Sequence, residues 1–146
     1  MPPFPHAEAV AIVEHAFGKP IDKAYATFGP PVAAASIAQV HRASIDSADG
    51  PREVAVKVLR PGIERRFAID QDAFAFAARN AEEYSAEARR LRLVETVATL
   101  RRSIALEMDL RLEAAALSEM AENTKSDPGF RVPAIDWDRT TKDVLT

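Results

Sequence analysis

A chain of 146 residues with 47% apolar and 28% charged side chains can bury one sizeable core and is too short for two large ones. Its net charge of −3, with both signs interspersed, argues against a nucleic-acid-binding surface, and the lack of cysteine excludes disulfides and thiolate metal sites while permitting a reducing compartment. No run of about 18 apolar residues occurs, and Met1-Pro2-Pro3-Phe4-Pro5 lacks the basic and apolar regions of a secretory signal, so this stretch is not expected to cross a membrane.

After the Pro-rich lead, HAEAVAIVEHAF from His6 to Phe17 predicts a short amphipathic helix. Val10, Val13 and Phe17 recur at helical spacing, and Gly18 with Pro20 supplies the stop. His6 and His15 have no carboxylate or second histidine at metal-site spacing and read as surface or helix-flanking residues. Ile21 to Gly29 reads as a first strand or a helix-to-strand lead-in, ended by Gly29-Pro30-Pro31.

From Pro31 to Leu59, two runs rich in β-branched residues flank the polar segment Asp46-Ser47-Ala48-Asp49-Gly50-Pro51, which predicts an antiparallel hairpin with a longish loop. Alternation sets Gln39 and His41 on one face of the first run and Ala38 and Val40 on the other. In the second run Val54, Val56 and Val58 share one face, and Ala55, Lys57 and Leu59 the opposite one. An ammonium placed mid-strand between apolar neighbours needs an anionic partner or a route to water, because an unpaired buried charge is expensive.

Arg60-Pro61-Gly62-Ile63-Glu64-Arg65-Arg66 breaks the strand, and its basic cluster reads as a solvated helix start. A tract without Pro or Gly then runs to Pro128, rich in Ala, Glu, Arg and Leu and too long for one globular helix. One helix is expected over Asp70 to Glu87, with Phe67, Phe74 and Phe76 among its apolar residues. A second is expected over Leu93 to Asn123, from Leu93, Val97, Leu100 and Ile104, with the join near Tyr84 to Arg92. On that second helix Asp109 and Glu113, four apart, would share a face while Glu107 points elsewhere. From residues alone, surface pairing with neighbours like Arg101 and Arg111 is the expected reading for Asp109, whereas the need of Lys57 for a counter-charge disfavours it for Glu113. Asp127-Pro128-Gly129 is a turn, Phe130 to Trp137 alternates weakly, Asp138 to Thr141 turns again and Val144-Leu145 begins another strand; Trp137 reads as a packing residue.

A protein kinase carries a phosphate-covering turn G-x-G-x-x-G-x-V followed by a strand V-A-I-K. Here Ala33-x-Ala35-x-x-Ala38-x-Val40 occupies that frame, and Lys57 of Val54-Ala55-Val56-Lys57 follows at hairpin distance. With the strings AAASIAQVHRA and EMDLRLEAA, the chain resembles the UbiB (AarF-like) family of atypical kinase-like proteins, associated with ubiquinone biosynthesis, from Pro3 to the C-terminus. The resemblance implies an α+β fold over residues 1–146 as one domain. This would be a kinase-like small lobe with about five antiparallel strands, a short N-terminal helix and two or more long helices. It implies a strand from about Ala24 to Phe28 ahead of the alanine turn. Phe130 to Trp137 and Val144-Leu145 would be the fourth and fifth strands.

The resemblance also implies ATP or ADP with Mg as ligand. Lys57 would hold phosphate and pair with Glu113, which falls where the family has its helix glutamate. Val40 and Ala55 would touch the adenine, and Ser36 with nearby amides would face phosphate oxygens. Ala33, Ala35 and Ala38 would stiffen the turn, since alanine disfavours the positive φ that glycine allows. Glu107 and Asp109 match an E-x-D motif whose acids face the nucleotide and an N-terminal extension. No H-R-D or D-F-G string occurs, nor the K-x-G-Q motif expected upstream of the Pro-rich lead. A second catalytic lobe, with its Mg ligands, is therefore expected to be missing here, and this chain alone to be inactive. The implied role is the nucleotide-binding half of a UbiB-type kinase or ATPase supporting quinone-lipid biosynthesis in the cytoplasm. Membrane association would come through other parts of the protein. Two alternatives stay open: a non-catalytic module binding biosynthetic proteins, lipid or the membrane surface, and a structural domain in which Lys57 is only a satisfied strand lysine.

Overall fold

The structure is a computed structural model describing residues 2–48 and 50–146; Met1 and the expected turn residue Asp49 lie outside the described residues. Helix α1 (His6–Phe17) and the single turn α2 (Ile21–Ala24) precede strands β1 (Thr27–Ala34), β2 (Ala38–Ser47) and β3 (Gly50–Leu59). Helices α3 (Ile63–Tyr84), α4 (Ala86–Leu91), α5 (Leu93–Glu107) and α6 (Leu110–Thr124) follow, then a 3-10 turn (Trp137–Arg139) and strand β4 (Val144–Leu145). The chain packs as two units: residues up to Pro61 with Met108–Thr146, and Gly62–Glu107.

The first unit is an α+β structure around an antiparallel sheet of order β1-β2-β3-β4. About five strands were expected; among the described residues there are four, because Phe130 to Asp136 forms no strand. Strands β2 and β3 stay in register from Ala38↔Leu59 to Ser47↔Gly50, so only positions 48 and 49 separate them rather than a longish loop. The expected stop at Gly29-Pro30-Pro31 is instead part of β1, and the strand expected over Ala24 to Phe28 begins only at Thr27. As an edge strand, β1 tolerates two prolines without a sheet N–H, and register shifts on either side of Pro31 absorb the irregularity. Gly29 lets β1 approach β2 closely: a Cβ there would lie 3.1 Å from the Arg42 carbonyl oxygen, a tight contact with backbone.

Alternation along the central strands gives the sheet two covered faces. Val56 and Val58 join Ala43, Ile45 and Val144 against Ala9 and Val13 of α1, while Leu59, Ala38 and Leu145 meet Leu110 and Ala114 of α6. Each fully buried valine or leucine contributes about 1.5–3 kcal/mol. The inner face of α1 is set by Ala9 and Val13 rather than by Val10, and Gly18 at φ 64° caps its end. Trp137, expected to pack, is 53% exposed on its 3-10 turn.

Sequence placed Gln39 and His41 on one face, and both are fully buried there. The partners of His41 fix its tautomer. Nδ1 faces the Gly29 carbonyl oxygen at 2.9 Å and so carries the hydrogen; Nε2 is then free to accept from Gln39 Nε2 at 3.0 Å. The same amide donates to the Phe4 carbonyl at 3.4 Å, and its oxygen accepts the Phe4 N–H at 2.9 Å. Burial holds the His41 pKa below its ordinary value of 6.5, opposed by the Gly29 hydrogen bond and aided by nearby His6. His6 Nε2 lies 3.0 Å from the same Gly29 oxygen.

The second unit is helical. Its α3 and α5 are tied by Arg101 to Asp72 at 3.4 Å and by the Glu82 carboxylate accepting the Val94 N–H at 2.9 Å. The join expected near Tyr84 to Arg92 is helix α4 with a break at each end. Ser85 caps it through Ala88 N–H, Arg89 donates to the terminal α3 carbonyls of Glu82 and Glu83, and Arg92 ends it at φ 51°. Helix α3 starts at Ile63 rather than Asp70, and its inner stripe includes Ile63, Gln71 and Ala78; Phe74 and Phe76 are exposed. The helix expected over Leu93 to Asn123 is two, broken at Met108 and Asp109.

A neutral His41 is favoured in the folded state, so the unfolded chain binds more protons and the stabilisation is present above pH 6.5 and lost as pH falls below it. The midpoint of thermal unfolding is expected to fall between about pH 7.5 and about pH 5.5, and less steeply in His41→Asn. Parallel pH profiles for the two proteins would contradict the assignment.

Candidate functional site

The second face of β3 holds the strand lysine. Lys57 pairs across the sheet with Val40 on one side and Leu145 on the other, so its backbone is fixed on both edges. Its ammonium donates to Glu113 Oε2 at 2.6 Å. Glu113 lies in the first turn of α6, where a carboxylate also favours the helix dipole. The start of that helix is itself tied to the sheet: Leu110, 1% exposed, donates its N–H to the Lys142 carbonyl at 2.9 Å, and Leu59 N–H reaches the Asp143 carbonyl at 3.0 Å.

Asp109 occupies the N-cap of α6, not a helical position sharing a face with Glu113. Its carboxylate accepts from Arg111 N–H at 3.1 Å and from the Arg111 guanidinium at 2.9 and 2.6 Å. The Arg111 side chain holds its pKa below the usual 3.8. Glu107 is the last residue of α5, in the other unit.

A cavity of about 540 Å³ opens around the ion pair. Among the expected site residues it brings together Lys57, Glu113, Val40 and Ala55; Leu117, Ile135, Leu145 and Thr146 add to its wall, and Arg52 and Arg131 bring cations to its lining. That volume suits a small organic ligand, and an apolar wall beside one ammonium can hold a flat ring with an anionic tail. The wall from Ile135 to Thr146 was missed in the sequence, where the stretch after Pro128 reads as strand and turn.

The remaining expected residues form the connection between β1 and β2. Ala33 pairs with Val40 one residue before the end of β1, where Ala34 faces Gln39; Ala38 is buried against α6, and the turn runs through Ala35 and Ser36. Ala35 N–H closes it on the Ala38 carbonyl at 2.8 Å. Positive φ among the described non-glycine residues occurs only at Arg92, so this turn uses ordinary L-residue conformations, as alanine requires.

Arg60, expected to be solvated, is half-buried. Its guanidinium donates to the Ala35 carbonyl at 3.1 and 3.0 Å and to the Pro2 carbonyl at 2.8 Å, and lies 5.7 Å over the Phe4 ring. Its N–H donates to the Ile37 carbonyl at 2.8 Å. The only hint in the sequence is an arginine directly after a strand whose partner begins at the alanine turn.

The Lys57 and Glu113 side chains are 28% and 42% exposed, so their attraction is screened by water. Lys57→Met and Glu113→Gln are each expected to lower unfolding free energy by about 1 kcal/mol at most in urea titrations. A loss of several kcal/mol would mean that the pair supports the fold rather than a ligand.

Comparison with known proteins bears on this geometry. The family model for the ABC1 atypical kinase-like domain matches residues 1–146. The chain is 42% identical over 146 residues to a protein of Marinobacter nauticus named probable protein kinase UbiB, covering 99% of this chain and 26% of that protein. Proteins of the same name from Azotobacter vinelandii and Pseudomonas fluorescens (strain Pf-5) are 40% and 38% identical, again over 99% of this chain and 27% of theirs. The chain thus spans about a quarter of the length of these relatives.

Proposed function

The chain belongs to the ABC1 atypical kinase-like family, and from that membership we propose that its first unit is a kinase-type small lobe supplying one half of a nucleotide cleft. The observation that carries this reading is the 2.6 Å pair between a mid-strand lysine and a glutamate on the helix covering that strand face. In kinases such a pair orients the lysine toward the α and β phosphates. Lys57 then exchanges part of its contact with Glu113 for phosphate oxygens, while Glu113 keeps the ammonium in place.

Val40 and Ala55, on neighbouring strands and lining the same cavity, offer apolar contact to a purine. The alanine turn, with Ser36 at its tip, faces the phosphates through amide hydrogens rather than through glycine-enabled close approach. Asp109 and Glu107 follow the E-x-D spacing, and in this reading face the nucleotide and an N-terminal extension. Asp109 must release Arg111 to do so.

Phosphoryl transfer needs a catalytic-loop acid and Mg-binding Asp and Asn, and these 146 residues contain no H-R-D or D-F-G string. The chain accordingly binds ATP or ADP with Mg and leaves catalysis to residues outside it. By the names its relatives carry, the activity served is that of a UbiB-type kinase, which we connect to quinone-lipid biosynthesis. Among the described residues no helix is long and apolar enough to cross a membrane, so any contact with a lipid surface is peripheral through this part of the protein.

Mg-ADP or Mg-ATP at about 100 times its Kd is expected to stabilise the chain by about 2.7 kcal/mol, and Lys57→Ala to abolish that shift. An unchanged shift in the variant would remove Lys57 from the site. Ala35→Gly, which admits positive φ at the turn, is expected to change the ratio of ATP to ADP affinity while moving the unfolding midpoint little. Equal ratios in the two proteins, measured by calorimetry, would separate the alanine turn from the phosphates.

A further inference from the structure

The sequence places Arg60 in a solvated helix start, yet its guanidinium and its backbone N–H both hold carbonyls of the alanine turn. Its position continues the alternation of Val56 and Val58, whose side chains lie on the α1 face, whereas Lys57 lies on the α6 side. The guanidinium confirms that direction by stacking over Phe4, a member of the core on the α1 face, and by reaching the Pro2 carbonyl. From there it takes two hydrogen bonds to a single acceptor, the Ala35 carbonyl oxygen.

A trans peptide is planar and sets its C=O and N–H in opposite directions. No peptide among the described residues is cis. Holding the Ala35 oxygen on the α1 side therefore turns the Ser36 N–H of the same peptide away from it, toward the side that carries Lys57. Ser36 is exposed, and no acceptor for its N–H is found among the described residues. The adjoining peptide groups are held as well: Ala35 N–H by the Ala38 carbonyl, and the Ile37 carbonyl by Arg60 N–H.

We infer that Arg60 is a positioning residue for the phosphates of a nucleoside di- or triphosphate: by gripping the Ala35 carbonyl it aims the Ser36 N–H at the Lys57 side of the sheet. This rests on the nucleotide reading above and adds a division of labour to it. A glycine-rich turn can swing its amides toward phosphate; an alanine turn cannot do so freely, and an outside guanidinium sets the peptide direction instead. The Pro-rich lead takes part, because Phe4 is clasped by Gln39 and Pro2 by Arg60 itself. Arginine is suited to the task because its planar fork holds two acceptors at fixed angles, which a lysine point charge does not.

The test uses the 146-residue chain with Mg-ADP and adenosine as probes, in wild type, Arg60→Met and Arg60→Lys, by calorimetry and by following the Ser36 amide in proton-nitrogen correlation spectra. Arg60→Met is expected to weaken Mg-ADP by about tenfold or more, as for loss of one charge-assisted hydrogen bond, and to leave adenosine affinity unchanged. Arg60→Lys is expected to recover part of the Mg-ADP affinity. The wild-type Ser36 amide is expected to shift with Mg-ADP and not with adenosine. Equal loss of both ligands in Arg60→Lys, or undiminished Mg-ADP binding in Arg60→Met, would overturn the positioning role while leaving the nucleotide site standing. Wild-type protein that binds neither probe would overturn the nucleotide reading itself. Should Arg60→Met not fold, Arg60→Lys and the wild-type Ser36 signal decide the matter: full Mg-ADP affinity in the lysine variant, or a silent Ser36 amide, overturns the inference.

Discussion

A charged side chain in the middle of a sheet must be answered by something, and Lys57 is answered by Glu113. That requirement organises the first unit. Strand β3 can carry an ammonium between Ala55 and Leu59 because its opposite face, Val56 and Val58, is fully buried against α1 and sets the strand's orientation. The helix bearing the carboxylate is held at its first turn by Leu110 and capped by Asp109, so Glu113 is delivered to the lysine by backbone anchors rather than by its own attraction. The ion pair is partly open to water and worth little to stability; in the proposed nucleotide site its value is in geometry, since a side chain held by a weak partner can be passed to a stronger one.

The turn above β2 meets a different constraint. Without glycine it adopts no positive φ, and its conformation is secured from outside by Arg60 and, through the Gln39 amide, by the Pro-rich lead. The buried Phe4, Gln39, His41 and Gly29 contacts satisfy each polar group they enclose, so they specify one arrangement of the lead on the sheet. Titration of His41 opposes that arrangement, because a proton on Nε2 would meet the Gln39 amide hydrogens.

Much of this was legible in the sequence where periodicity and charge speak together. The period of two over Val54 to Leu59 assigned both faces of β3 correctly, the stop at Gly18 ended α1 where it ends, and Lys57's need for a counter-charge pointed to an acid on a later helix. Helix ends without glycine or proline were not legible: the break before α6 is made by an Asp109 side chain competing for backbone hydrogens, and periodicity passes straight through it. The stretch after Pro128 contains β-favouring residues but finds no strand to pair with, and the β1 prolines survive because an edge strand leaves their missing donors unneeded. Arg60 was illegible for a simpler reason. Its hydrogen-bond partners are backbone carbonyls, which carry no letter.

The account stands on where a nucleotide's phosphates would lie, and a crystal structure of the chain with Mg-ADP addresses that most directly. The expected result has an α- or β-phosphate oxygen within about 3 Å of Lys57 Nζ, with Glu113 still in contact with the ammonium and the purine between Val40 and Ala55. Density for the nucleotide on the α1 face, or an ammonium turned away from a nucleotide bound elsewhere, would contradict it.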